Sequence, residues 1–309
     1  MSVNPTTNIN GGLSDDPRDE SFQKGRRCHT EKQTPEERDK KNGYFKAWKK
    51  KKKAKAKKGD FGYQLEERRL FGGCFDCVDW SETVITVPVY FHVVHDGDTG
   101  KQYTYEVDSS FIERSITALN YGFQGLPNTE FIPYPSRSYS RYNVTEADSK
   151  IRFCLAGTTT TDNAAWYNAG PYSEEVSAMK QALKVGGSET MNVYAHQPGG
   201  GILGYAWHPQ NDEFLHDGVV ILNDVMPGGP LGTLSQGNTL THEVGHWLDL
   251  VHTHDNGCSG EGDYMIPAGN EATPSFGCEV AKDDCPGGGP NPIHNFMSYS
   301  NVRMEYPIT

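Results

Sequence analysis

From residue 83 onward, apolar positions recur with regular spacing. The run TVITVPVYFHVV over residues 83–94 is rich in β-branched and aromatic side chains and predicts a first strand. Over residues 107–123, Phe111, Ile112, Ile116, Leu119 and Tyr121 fall at a spacing that suits an amphipathic helix. Residues 151–156 read as a strand, 174–185 as a second helix and 191–195 as a short strand. The run GVVIL at residues 218–222 is a buried strand. Residues 239–250 form a further helix, with Asn238 as its N-cap. After His252 the chain is almost all Gly, Pro, Asp and Cys, which predicts loops. Residues 1 to about 60 are polar and low in complexity, with a short helical hint at 34–48. There is no internal repeat.

Charge divides the chain at the same place. Residues 1–60 hold 17 Lys and Arg against 9 Asp and Glu, a net of +8; the remainder carries −19, giving the overall −11. A basic arm of this kind can fold against an acidic body by electrostatics. Its lysine run, Lys49 to Lys53 followed by Lys55, Lys57 and Lys58, fits either a nuclear-localisation or nucleic-acid patch or a solvated linker. The linker is favoured, because no zinc finger or stacking-aromatic pattern accompanies the run, and nucleic acid is not an expected partner. No stretch of 18 apolar residues is present, so no membrane span is expected. Residues 1–20 lack the apolar core of a secretory signal. Against that, seven cysteines point to an oxidising compartment. The 309 residues, 34 of them Gly and 18 Pro, suffice for one large, loop-rich domain or two modest ones.

The chemistry concentrates in THEVGHWLDLVH, residues 241–252. His242 and His246 lie four residues apart, so on a helix both imidazoles leave one face. Glu243 sits on the flank of that face, where it reaches a metal-activated water without being a ligand. His252 comes six residues later, so the chain must turn after Leu248 to return it to the same point. Three neutral imidazoles leave a fourth position open on Zn²⁺, the arrangement of a catalytic site.

Several segments then resemble one family in order and separation. They are DGVVILNDVMPGG (217–229), NTLTHEVGHWLDLVHTH (238–254), the cysteine-rich tail through NPIHNFMSYS (291–300), GGILGYA (200–206) and the strand at 85–94. Together these resemble the pappalysin family of metzincin zinc metalloproteases, in its fungal secreted branch, over residues 83–300. The long motif of that family carries Gly where this chain has Asp249, which implies a residue of positive φ at the turn, adopted by Asp at a cost of roughly 1 kcal/mol relative to Gly. The resemblance implies an α+β fold: a metzincin-like catalytic domain with a mixed twisted sheet, two or three helices and a loop-rich C-terminal subdomain. It divides the chain into a basic pro-segment-like region, 1–82, and a catalytic domain, 83–309, itself an upper part (83–252) and a lower part (253–309).

The implied site follows the same matches. His242, His246 and His252 hold one zinc. Glu243 is the general base of peptide hydrolysis through a zinc-bound water. Met297 forms an apolar floor, and Tyr299 is a candidate donor to the oxyanion, with a plain buried Tyr as the alternative. Gly201, Ile202, Leu203, Gly204 and Tyr205 correspond to an edge strand that pairs with an extended peptide or protein substrate. Cys258 pairs with Cys285, while Cys278 lacks a partner because residues 300–304 contain no Cys. Cys28, within RRCHT at 26–30, is a candidate thiol switch on the metal or else a free Cys in the arm. Cys74 and Cys77 read as disulfide cysteines. Asn143 heads a glycosylation sequon that matters for a secreted protein. Calcium is a further candidate through Asp255, Glu261 and Asp263, and an extracellular location is implied. His92, His95, His196, His208, His216 and His294 read as structural, and His254 has no motif role. The alternative function is a catalytically impaired peptide-binding protein. Retention of Glu243 argues against it.

Overall fold

The β-branched and aromatic run that predicts the first strand builds the interior of a sheet. A computed structural model of the chain describes residues 84–97, 107–126, 148–208, 216–258, 262–265, 271–276, 279, 282–287 and 289–299. Strand β1 is Ile85–His95, β2 Ile151–Asp162, β3 Met191–His196, β4 Gly204–Ala206 and β5 Val219–Leu222. They lie in the order β2-β1-β3-β5-β4. β1 and β3 run parallel, with Phe91 opposite Val193. β3 and β5 run parallel, with Ala195 opposite Ile221. β4 closes the far edge antiparallel to β5, with Tyr205 opposite Val220. Every residue of β3 and β5 is buried, as expected of parallel strands covered on both faces; β5 accordingly reads as a continuous apolar run, while β3 also buries Asn192 and His196.

One face of the sheet presents Val89, Phe91, Val193 and Ile221 to Ile112, Leu119, Leu240 and Val244. The first two of those four belong to helix α1 (Ser109–Gln124) and the last two to helix α4 (Asn238–Trp247). The other face packs Val94, Tyr194, Tyr205 and Val220 against Val176 and Met179 of α3, Glu174–Leu183. Burial of each such side chain stabilises the fold by about 1.5–3 kcal/mol. Helix α1 starts at Ser109 because the Asp108 carboxylate accepts the N–H groups of Ser110 and Phe111 at 2.7 and 3.3 Å. It stops at Gly125, which takes φ 66°.

Three details depart from the sequence reading. β2 runs on to Asp162 rather than ending at Ala156, because Gly157 leaves the space that the Tyr90 ring fills. A short fourth helix, α2 (Ala164–Tyr167), forms where Asn163 caps the N–H groups of Ala165 and Trp166. Asn238 is not the cap of α4 but its buried first residue. The cap is Gly237, at φ 90°, where a Cβ would stand 2.5 Å from that of Ala118. Only Gly allows both that conformation and that approach. Beyond α4 the described residues contain no helix or strand. They are joined instead by a Cys258–Cys285 disulfide, with Cα atoms 5.2 Å apart, the pairing implied by the resemblance. Cys154 is free and exposed. Cys28, Cys74, Cys77, Cys278, Asn143, Glu261 and the basic arm lie outside the described residues.

Candidate metal centre and active site

Helix α4 carries the site, and its end shapes it. The helix stops at Trp247, three residues before the sequence pattern does. Asp249 takes φ 79°, its N–H bonds the carbonyl of His246 at 2.9 Å, and the N–H of Leu250 reaches back to Gly245 at 2.9 Å. These paired bonds are a Schellman turn, which satisfies the last helical carbonyls and reverses the chain. The reversal brings His252 back beside the helix. His246 Nε2 then lies 3.1 Å from His242 Nε2 and 3.1 Å from His252 Nε2.

The other ring nitrogens are engaged elsewhere. His242 Nδ1 faces the carbonyl of Phe296 at 2.5 Å and His246 Nδ1 faces that of Leu250 at 2.8 Å. His252 Nδ1 is 3.5 Å from the Asp255 carboxylate. A carbonyl accepts only from an N–H, so Nδ1 of His242 and of His246 carries the proton and Nε2 presents a lone pair. Burial also favours the neutral rings: it pushes His242 down to about 4, and with neighbouring histidines it takes His246 well below the ordinary value. Lone pairs facing one another at 3.1 Å in a buried site need a cation between them. Tetrahedral Zn²⁺ with ligands at about 2.0–2.1 Å separates its nitrogens by about 3.3–3.4 Å, close to the spacing found. The three residues could therefore hold a metal ion, and zinc fits them.

Around this point the chain places the remaining candidates. Glu243 is fully buried on the same helix. Gly204 of β4 faces it, so closely that a Cβ there would stand 2.8 Å from Glu243 Cγ. The Tyr299 hydroxyl is 3.1 Å from His252 Nε2. Met297 lies beneath the helix with its Sδ against Gly245, leaving no room for a larger residue at that position. Among the residues matched to a substrate strand, only Gly204 and Tyr205 fall within β4, which continues to Ala206. Gly201 has φ 74°, Ile202 closes a turn onto Gly199, and Leu203 accepts from the Leu222 N–H at 2.8 Å before the strand begins. Tyr205 is fully buried among the apolar side chains of the second face.

Sequence reasoning passed over several supports. Asp217 accepts the Trp247 indole N–H at 2.7 Å and pairs with Lys184 at 3.1 Å, tying α4 to α3. The fully buried Lys180 donates to the carbonyls of His216 and Gly218, on either side of Asp217. Glu271, fully buried, accepts from the hydroxyls of Thr253, Ser275 and Ser298 at 3.1–3.3 Å, linking the residue after His252 to the residue after Met297. The sequence holds no local signal for these contacts, which span many residues of loop. His208 packs edge-on against His246, with ring centroids 5.3 Å apart, and His254 stacks on His252 at 4.8 Å. His92 and His196 are structural: the first bonds Thr159 and Asn192, and the second faces the Tyr167 carbonyl. In the loop considered for calcium, Asp255 accepts from the His252 N–H at 3.2 Å and Asp263 from that of Met265 at 2.9 Å.

Comparison with known proteins agrees with this geometry. The Peptidase_M43 family model, described as pregnancy-associated plasma protein-A, matches residues 187–309. An extracellular metalloprotease of Neurospora crassa is 37% identical over 226 residues, covering 71% of this chain and 69% of that protein. The chain belongs to this family, the pappalysins. Extracellular metalloprotease 1 of Coccidioides posadasii is 44% identical over 155 residues, 48% of this chain and 55% of its own length, so that match spans only about half of the relative. Among solved structures, mirolysin in complex with compound 9 superposes with a TM-score of 0.57 at 27% identity, covering 74% of this chain and 88% of that one. By family and by fold the chain is a zinc-dependent metalloprotease of α+β, metzincin-like architecture.

Proposed function

We propose that the chain cleaves internal peptide bonds of extended protein segments outside the cell, with one zinc held by His242, His246 and His252 and with Glu243 as general base. The observation that carries this reading is the convergence of three buried histidines, with His246 Nε2 3.1 Å from Nε2 of both His242 and His252, and a buried carboxylate, Glu243, on the helix that carries the first two. When bound there, zinc supplies Lewis acidity for the scissile carbonyl and lowers the pKa of a water towards about 7. Glu243 takes the proton of the attacking water and passes it to the leaving amine. Tyr299, its hydroxyl beside His252 Nε2, is positioned to donate to the oxyanion. Met297 and Gly245 keep the floor of the site apolar and close-packed. The substrate adds as an extended strand to β4, the edge of the sheet, and so lies across the face that carries Glu243. In this reading residues 83–309 are the catalytic unit, with 253–309 supplying the floor. Secretion is supported by the names of the relatives and by the Cys258–Cys285 disulfide. No observation favours the impaired alternative.

The test is cleavage of casein and of quenched fluorescent peptides by the purified chain. The expected result is internal cleavage sites by mass spectrometry, loss of activity with a zinc chelator and recovery on adding zinc. Absence of cleavage by zinc-loaded, folded protein would overturn the reading.

A further inference from the structure

The family motif has Gly where this chain has Asp249, and in the fold that residue meets a partner. We propose that Asp249 and His208 form a clasp that positions the zinc ligands His246 and His252; this rests on the reading of those histidines as ligands. Asp249 Oδ1 lies 3.4 Å from His208 Nδ1. The contact is off-line for a hydrogen bond, so it acts by electrostatics and packing. The Asp249 side chain is 38% exposed while that of His208 is 6% exposed, so the clasp reaches from the rim into the interior. There the His208 ring packs edge-on against His246.

Both ends of the clasp bear on the metal point. On one side, Asp249 is the positive-φ residue of the turn; its N–H holds the His246 carbonyl, and the next residue, Leu250, supplies the carbonyl that faces His246 Nδ1. A shift of Asp249 therefore moves the orientation of His246 and the path to His252 together. On the other side, His208 follows β4 by two residues, so the clasp joins the end of the proposed substrate strand to the end of the zinc helix. A second tie holds the same helix end, through Trp247 and Asp217, and the His216 ring beside Asp217 stacks on Trp207 at 5.2 Å. Gly at position 249 would turn the chain more cheaply but would leave His208 without the carboxylate. Asp249 and His208 are thus positioning residues, outside the reacting atoms. Partners of this kind, one shell beyond the ligands, set ligand orientation and metal affinity.

The test uses Asp249→Asn, which keeps the tolerance for positive φ while removing the carboxylate, together with His208→Gln and the double variant. Zinc dissociation constants come from chelator competition, unfolding midpoints from the metal-free proteins, and kcat and KM from a quenched peptide. Each single variant is expected to weaken zinc binding by about ten-fold, with KM and the metal-free unfolding midpoint near wild type. The double variant should be no worse than the weaker single, since both remove one interaction. Zinc affinity within about two-fold of wild type in both singles, or losses that multiply in the double, would overturn the clasp. If the wild-type chain itself binds no zinc, the ligand reading fails and the clasp falls with it. If it binds zinc and the variants match it, the clasp alone fails.

Discussion

Gly204→Ala tests whether the edge strand holds space open for the general base. A Cβ at Gly204 would lie 2.8 Å from Glu243 Cγ, 3.1 Å from Glu243 Oε1 and 3.0 Å from the carbonyl oxygen of Val220. Ordinary carbon contacts are about 3.5–4.0 Å, so the new methyl group is short of room by roughly 0.7 Å or more. Val220 belongs to β5, held between β3 and β4, and its carbonyl has no freedom to retreat. Glu243 must move instead, and β4 must shift slightly to relieve the Val220 contact. A displacement approaching 1 Å in a reacting group costs on the order of 100-fold in rate. Overpacking adds a stability cost of about 1–3 kcal/mol. The expected variant is folded, binds one zinc and loses about 100-fold in kcat, with the unfolding midpoint modestly lowered. Steady-state kinetics separate this from a fault in substrate pairing, which would appear in KM. A folded, zinc-loaded Gly204→Ala protein with wild-type kcat would refute the reasoning.

Two further predictions concern buried groups. Glu271→Ala strips the acceptor from three buried hydroxyls and opens a cavity, so it should destabilise the protein by about 3 kcal/mol in denaturant titration and weaken zinc retention; an unchanged midpoint would remove Glu271 from the account. Burial pushes His196 down to about 4, against 6.5 for an exposed imidazole. Above about pH 6.5 neither state holds that proton. As pH falls from there towards about 4, the unfolded chain takes it up and the folded chain does not, so stability present above pH 6.5 is lost, by an order of magnitude of 3 kcal/mol. His196→Leu should lose that much less than wild type over the same window. The comparison cancels the histidines of the metal site, and equal losses in both proteins would contradict it.

How much of this was visible in the chain depended on the range of the contacts. His242, Glu243 and His246 are local to one helix, and their spacing displays the shared face directly. β5 is buried on both sides, so its apolar run marks it to within a residue, and β3 was found to within a residue despite its buried Asn192 and His196. The spacing of His252 showed that the chain must turn after Leu248, and the Gly of the family motif marked Asp249 as its positive-φ residue. What stayed hidden depends on distant partners. The strand reads as ending at Ala156, because nothing local shows that the Tyr90 ring fills the space left by Gly157. Gly237 reads as an ordinary loop residue until Ala118 approaches it. His208 looks like any loop histidine until the sheet brings it against His246. Glu271 sits in a loop without periodicity, and nothing local marks it as the acceptor for Thr253 and Ser298. The pairing of Cys258 with Cys285 came from the family pattern, since spacing alone leaves several pairings open.

The central claim is that three histidines hold the metal while Glu243 does the proton chemistry, and one comparison addresses it directly. Zinc content and peptide-cleavage rate should be measured side by side on the wild-type chain and on Glu243→Ala. The account predicts one zinc per chain in both proteins, with kcat reduced by about 100-fold or more in the variant, because a base is lost and no ligand is. A Glu243→Ala protein that keeps its zinc and cleaves at the wild-type rate would contradict it.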